Sequence, residues 1–138
     1  MQPRITVITL GVNDLDKSLN FYREGLGLPS RGIEGTEFPH GAVAFFDLQG
    51  GVRLAIYPRS DLALDANVGL GTPSSTEFTI AQNVTSKSEV DTIMAQAAHA
   101  GAKITDAAHD RFWGGYSGYF QDPDGHLWEI AWDPSFAV

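Results

Sequence analysis

Between residues 5 and 12 apolar positions alternate with small or polar ones, the period-two pattern of a strand. Asn13 or Asp14 caps the helix that follows, and Leu15, Leu19, Tyr22 and Leu26 give it a single buried stripe at helical spacing. Gly27 ends that helix where a left-handed residue is favoured. Residues 28–33, 43–48 and 52–57 read as three more strands, the last two joined by a tight hairpin at Gln49-Gly50-Gly51. Residues 58–75 hold Pro58, Gly69, Gly71 and Pro73, lack periodicity and are predicted as a linker. The pattern then restarts. Residues 78–84 form a strand, and Ser86 with Glu89 has the spacing of a capping box. Val90, Ile93, Met94 and Ala97 mark a second helix ending at Gly101, and residues 103–108, 115–121 and 126–132 are the next strands. Asp122-Pro123-Asp124-Gly125 is the turn between the last two. Each half is thus predicted as β-α-β-β-β, which makes the fold class α+β.

The two halves read as an internal repeat. The helix-ending glycines set its spacing, 101 − 27 = 74 residues. At that spacing Phe45-Phe46 falls on Tyr119-Phe120, Gly51 on Gly125 and Leu54 on Trp128. Two such modules are expected to carry their helices on the outer faces and to line a cavity with the inner faces of their sheets. Alternation sorts the strands. Leu54 and Ile56 match Trp128 and Ile130 as the helix-packed set, while Arg53, Ala55 and Tyr57 match Leu127, Glu129 and Ala131 on the cavity side.

Composition narrows the function. The chain has 138 residues and is 43% hydrophobic, which suits one globular domain: module one at about 4–57, the linker, and module two at about 76–134. No apolar run is long enough to span a bilayer, and the first residues lack the pattern of a secretory signal, so a cytoplasmic location is expected. The absence of cysteine excludes disulfides, thiolate nucleophiles and Cys-type zinc sites. A net charge of −8 repels phosphate backbones and anionic membranes, so nucleic acid and membrane partners are set aside. A small molecule, a metal ion or another protein chain remains.

Glu129 is the residue to explain, a carboxylate inside Leu127-Trp128-Glu129-Ile130-Ala131-Trp132. It reads as a metal ligand, a general base or an anchor for a cationic or hydrogen-bonding ligand. It reads equally as a solvent-facing residue, or as a buried one paired with Arg53. The second half is also rich in rings. Phe120 and Trp128 are assigned to the core, and Tyr57, Trp113 and Tyr116 to pocket walls around a small, partly planar molecule. Gly114, Gly115 and Gly118 interleave with the rings, as glycines do where a ligand or another backbone comes close. Other catalytic templates fit poorly. Ser117 lacks a nucleophile elbow, because Tyr119 takes the last glycine's place, and Gly69-Leu70-Gly71 is too short for a dinucleotide fingerprint.

The chain resembles the vicinal oxygen chelate superfamily, which includes glyoxalases, extradiol dioxygenases and fosfomycin- and bleomycin-resistance proteins. The resemblance spans about residues 4–134. It rests on residues 11–22 (GVNDLDKSLNFY), on Leu26-Gly27-Leu28 and on residues 120–129 (FQDPDGHLWE). Residues 112–120 (FWGGYSGYF) resemble a bacterial glyoxalase-like subgroup. The resemblance implies a vicinal-oxygen-chelate-like domain of two paired modules. It also implies, for metal-dependent members, a divalent ion held from four strand positions, mostly by His and Glu. Those positions fall here on Val7, on Ala55 (Leu54 if the register slips), near Thr79 and on Glu129. Only Glu129 keeps a ligand, against the three or four a tight site needs. Glu77, on the strand face of Thr79, and His40 and His109, in or near loops, are the candidates to compensate. His99 is expected on a solvent side, and His126 to point away from the cavity.

The reading that follows is metal-independent binding of a small organic ligand between the sheets, with no cofactor. Glu129 is the anchor, Arg53 a further polar contact, and Tyr57, Trp113 and Tyr116 the walls. Resistance-type sequestration is one form of it. The alternative is a metal-dependent lyase, isomerase or dioxygenase with Glu129 as metal ligand or base, and a third is a non-catalytic interaction domain. The resemblance also implies a homodimer.

Overall fold

A computed structural model describes residues 1–138. The chain divides into two compact units, Met1–Thr72 and Pro73–Val138, each built on a four-stranded mixed sheet. No helix is long and apolar enough to cross a membrane.

The first unit runs β1 (Val7–Val12), α1 (Leu15–Leu19), a π-helical stretch (Asn20–Gly25), β2 (Ile33–Glu34), β3 (Val43–Asp47), β4 (Arg53–Pro58) and α2 (Arg59–Ala66). Its sheet has the order β1-β4-β3-β2, with β1 parallel to β4 and the other pairs antiparallel. Asp14 caps α1, its carboxylate accepting from the Lys17 N–H at 3.0 Å. The π turn winds wider than an α turn, so Phe21 and Tyr22, adjacent in sequence, both enter the core while Leu15 and Leu26 stay half-buried. Tyr22 lies 5.0 Å edge-on to Phe21 and 5.7 Å from Phe46. Leu10, Leu54 and Ile56 complete the core, as the alternation requires.

Two expectations need correction here. Residues 58–75 are not all linker, because Arg59–Ala66 is helical. Helix α2 buries no residue, so it has no apolar stripe to read. It is held by polar contacts instead: Arg59 Nη2 donates to the Gly71 carbonyl at 2.9 Å, and Asp61 Oδ1 meets His40 Nδ1 at 2.7 Å. It ends on Asn67 at φ 55°. Strand β2 covers Ile33–Glu34 rather than 28–33. Gly32, at φ 94°, breaks the extended run before it, and its N–H donates to Ser30 Oγ at 3.1 Å.

The second unit runs β5 (Thr79–Val84), α3 (Lys87–His99), β6 (Lys103–Asp110), β7 (Tyr116–Gln121) and β8 (Leu127–Trp132), with sheet order β5-β8-β7-β6. Ser86 Oγ accepts from the Glu89 N–H at 3.1 Å. Glu89 reaches back to Thr85, accepting from its N–H at 2.9 Å and its hydroxyl at 2.8 Å, one residue earlier than the usual box partner. Val90, Met94 and Ala97 of α3 are buried with Phe120, Trp128 and Ile130 on the facing side of the sheet. The Phe120 and Trp128 rings stack at 6.2 Å with 2° between planes. In the β7–β8 turn, buried Asp122 accepts from the N–H groups of Asp124 (2.9 Å) and His126 (2.8 Å), and its other oxygen meets His126 Nδ1 at 2.7 Å.

Each unit therefore has the β-α-β-β-β order, and the repeat holds in register. Phe45 faces Ala55 and Phe46 faces Leu54 in the first sheet, as Tyr119 faces Glu129 and Phe120 faces Trp128 in the second.

Candidate functional site

Glu129 lies on the face of the second sheet opposite α3. Its neighbours Trp128 and Ile130 are buried toward the helix, so alternation turns Glu129 the other way, where it is half-buried. Across the sheet it is flanked by Ala81 of β5 and Tyr119 of β7. Tyr119 stands directly opposite Glu129 in the β7–β8 register, and no ion pair neutralises the Glu129 carboxylate. Burial, the Glu129 charge and a hydrogen bond to Glu129 together push the Tyr119 phenol above its ordinary 10.0, with Arg111 acting in the opposite direction.

Arg111 is the most anchored cation of the second unit. Its Nε donates to Ser117 Oγ at 2.7 Å and its Nη2 to the Ser117 carbonyl at 3.0 Å. Nη2 also meets Asp106 at 2.9 Å, and the guanidinium stands 5.4 Å from the centre of the Tyr119 ring. Asp106 takes a second contact from His109 Nε2 at 3.1 Å. Hydrogen bonds from His109 and then Arg111 hold its carboxyl below the ordinary 3.8. The result is a chain of contacts, Asp106–Arg111–Tyr119–Glu129, along one sheet face.

Of the other predicted site residues, Arg53 and Tyr57 belong to the first unit and Trp113 and Tyr116 to the second. Arg53 donates from Nε to Asp47 at 2.8 Å and lies 5.5 Å over the Phe45 ring. The Tyr57 hydroxyl donates to the His40 carbonyl, and its pKa is raised by burial and by Asp65 and Asp61. Tyr116 is on the helix-packed face of the second sheet, where it donates to Asp91 of α3 at 2.6 Å. That bond, before burial, raises its pKa. Trp113 is 41% exposed in the β6–β7 loop, with its ring against Gly115 at the place a side chain there would occupy. Gly118 gives way in the same fashion to Met94 and the Ala108 backbone, so these two glycines make room for this chain's own atoms.

The four positions that the resemblance assigns to a divalent ion offer, by their side chains, a single ligand, Glu129. Ala55 is buried and offers a methyl group, and Val7 offers an isopropyl. The Thr79 hydroxyl donates to the Leu127 carbonyl at 3.1 Å. Glu129 alone cannot hold such an ion. The compensating candidates are engaged elsewhere. His40 is on Asp61, both His109 nitrogens face oxygens (Asp106 and the Asp110 carbonyl, 2.8 Å), and Glu77 accepts from Ser74 at 3.3 Å. Asp122, Asp124 and His126 bring possible ligand atoms within 4.8 Å of one another, but Asp122 is committed to bracing the turn.

Two βαβββ modules, a carboxylate at the last-strand position and the motifs around it define a glyoxalase-type domain. Residues 4–130 match the family model of the Glyoxalase/Bleomycin resistance protein/Dioxygenase superfamily, and the chain belongs to that superfamily. The crystal structure of a glyoxalase-related enzyme from Fulvimarina pelagi is 33% identical, superposes with a TM-score of 0.84, and matches 99% of this chain and 92% of that one. YraH of Bacillus subtilis (strain 168), named as an uncharacterized protein, is 30% identical over 131 residues, which cover 92% of this chain and 96% of YraH. The fosfomycin resistance protein FosX of Listeria monocytogenes shares the fold at 24% identity, with a TM-score of 0.71 over 98% of this chain and 97% of FosX.

Tyr119 and Arg111 are the members of the site that sequence reading missed. Tyr119 was within reach, since it stands opposite Glu129 at the spacing that sets Phe45 opposite Ala55. Arg111 was not, because β6 has register shifts between Ile104 and Asp106 and between Asp106 and His109, which defeat counting by alternation.

Proposed function

We propose that this protein binds a small organic ligand on the Glu129 face of the second sheet, without the metal ion that related domains hold at the corresponding positions. One observation carries the reading: Glu129 is a half-buried carboxylate with Tyr119 directly opposite it and no cation paired with it. Such a group favours a ligand that brings a hydrogen-bond donor or a positive charge, and a net charge of −8 draws the same class of molecule. Tyr119 orients the carboxylate, and Arg111 fixes Tyr119. The reading takes the protein as cytoplasmic, in keeping with a chain that has no cysteine to cross-link.

The test is a thermal-shift screen of small ammonium, guanidinium and amide compounds against the wild type and Glu129→Gln. Compounds that stabilise the wild type and not the variant support the anchor. Equal stabilisation of both overturns it. Elemental mass spectrometry on protein purified without chelator accompanies the screen. Metal near zero after incubation with nickel, zinc, manganese and iron is expected, and about one ion per chain overturns the metal-free reading.

A homodimer is proposed with it. Large apolar side chains stand in solvent in both units, among them Val7, Phe38, Phe78 and Phe112, the last 101% exposed. Sedimentation at micromolar concentration is expected to give twice the chain mass, and a monomer there removes the dimer from the reading.

A further inference from the structure

Three of the chain's nine Lys and Arg side chains gather at one end of the first sheet, against the acidic trend of the whole. A cavity of about 230 Å³ opens there, inside the first unit, between the segment leading into β2 and the paired ends of β3 and β4. Arg31 and Arg53 line it together with their carboxylate partners Glu34 and Asp47, and Pro29 and Phe45 form apolar walls. Arg23 stands behind the backbone: a methyl group on Gly32, another lining residue, would lie 3.2 Å from its Nη1.

The three guanidinium groups are tethered alike. Each meets a carboxylate through Nε: Arg23 to Glu24 at 2.8 Å, Arg53 to Asp47 at 2.8 Å and, more loosely, Arg31 to Glu34 at 3.8 Å. Pairing through Nε leaves the two-pronged end of the fork for another partner. No protein group takes the terminal nitrogens of Arg31 or Arg53. Arg53 is also fixed by the Phe45 ring beneath it, 5.5 Å from the ring centre, so less of its freedom is lost when it binds. The tethering acids are well exposed, Asp47 at 72%, and ion pairs this open stabilise little, so a better-placed oxyanion competes with them.

We infer that this cavity is a binding site for a small carboxylate with a compact apolar body. Its two oxygens meet the free ends of Arg31 and Arg53, and its body lies between Pro29 and Phe45. The volume is below the ~300–1,000 Å³ of drug-sized sites, which limits the occupant to about one ring. All the residues that line the cavity belong to the first unit, and Glu129 belongs to the second.

The test is an amide NMR titration of the full chain with benzoate, using benzylamine and benzyl alcohol as matched probes. Benzoate is expected to give saturable shifts confined to residues 29–34 and 45–53, where benzylamine gives none. In R31Q/R53Q benzoate binds about tenfold more weakly or less, and R31Q alone, changed at a side chain 82% exposed, shows a smaller loss in the same direction should the double variant not fold. E129Q binds benzoate as the wild type does, which separates this site from the Glu129 reading. Shifts that do not saturate or that fall elsewhere, equal response to benzylamine, or unchanged affinity in R31Q overturn the proposal.

Discussion

Tyr119 and Glu129 face each other across β7 and β8, hydroxyl to carboxylate, in the two places that Phe45 and Ala55 occupy across β3 and β4. The first copy fills these places with a ring and a methyl group, the second with a phenol and a carboxylate. Since the sheets share their register, the difference lies in side chains alone. Side-chain chemistry, and not backbone shape, therefore makes the Glu129 position particular to the second copy.

The pair is expected to show in the tyrosine titration. Ionising Tyr119 sets two anions against each other and breaks their hydrogen bond, so its pKa stands above 10.0. Glu129→Gln removes the like charge and should lower that pKa, while burial keeps it above the ordinary value. NMR of ring-labelled tyrosine reads the four residues separately. A Tyr119 curve unmoved by the substitution would show that the two groups are not coupled.

Helix α3 offers a second measurement. Ser86 and Glu89 between them satisfy N–H groups at its start, at 3.1 and 2.9 Å. Ser86→Ala should lower stability by ~1 kcal/mol in urea unfolding, with an unchanged denaturant slope. Ser86→Asp should restore most of it. Full stability in the alanine variant would mean that water replaces the cap.

Gly118 tests the packing behind the site. A Cβ there would lie 2.8 Å from Met94 Cε, which can move, and 3.0 and 3.1 Å from the Ala108 N and Cα, which are strand backbone. Gly118→Ala is expected to cost about 1–3 kcal/mol by overpacking. Gly69→Ala, where a Cβ meets nothing within 4 Å, should stay within ~0.5 kcal/mol of the wild type. Equal melting temperatures for the two variants would deny the close approach.

The pH profile has two predicted limbs. Tyr57, Tyr116 and Tyr119 have raised folded pKa values, so their contribution to stability is complete below pH ~10 and lost as pH climbs through those values. Glu89, Asp106 and Asp133 have lowered ones, so theirs is complete above their ordinary 4.5 and 3.8 and lost as pH falls through the folded values. The melting temperature should fall above pH ~10 and below pH ~4 from these groups, with both limbs read by calorimetry. Asp106→Asn should soften the acid limb. An acid limb identical in that variant would exclude Asp106 from it.

The regular elements were legible wherever one face is buried. Leu10 and Val12, and Trp128 and Ile130, flank less buried residues, and that periodicity yields the strands, while Leu54 and Ile56 flank a buried Ala55. Helix α2 escaped because it buries nothing, and the start of β2 because one glycine torsion is invisible in composition. Glu129 stood out as a carboxylate in an apolar strand. The face of Tyr116 was there to be read: it is three residues from Tyr119, and an odd separation along a strand means opposite sides. What no spacing shows is which donor a carboxylate finds, because that depends on bulges and on loop paths such as the one carrying Trp113 over Gly115.

The two copies start their helices 86 − 14 = 72 residues apart, at Ser86 and Asp14, yet end them 74 apart, at Gly101 and Gly27. The first helix is therefore two residues shorter between cap and closing glycine than the second. Two residues turn an α-helix by about 200°, enough to swing a core face out to solvent. The shorter copy winds Asn20–Gly25 as a π turn, with Phe21 and Tyr22 buried. Grafting α3 in place of the first helix would import two extra residues, and with them a core face set in a different phase.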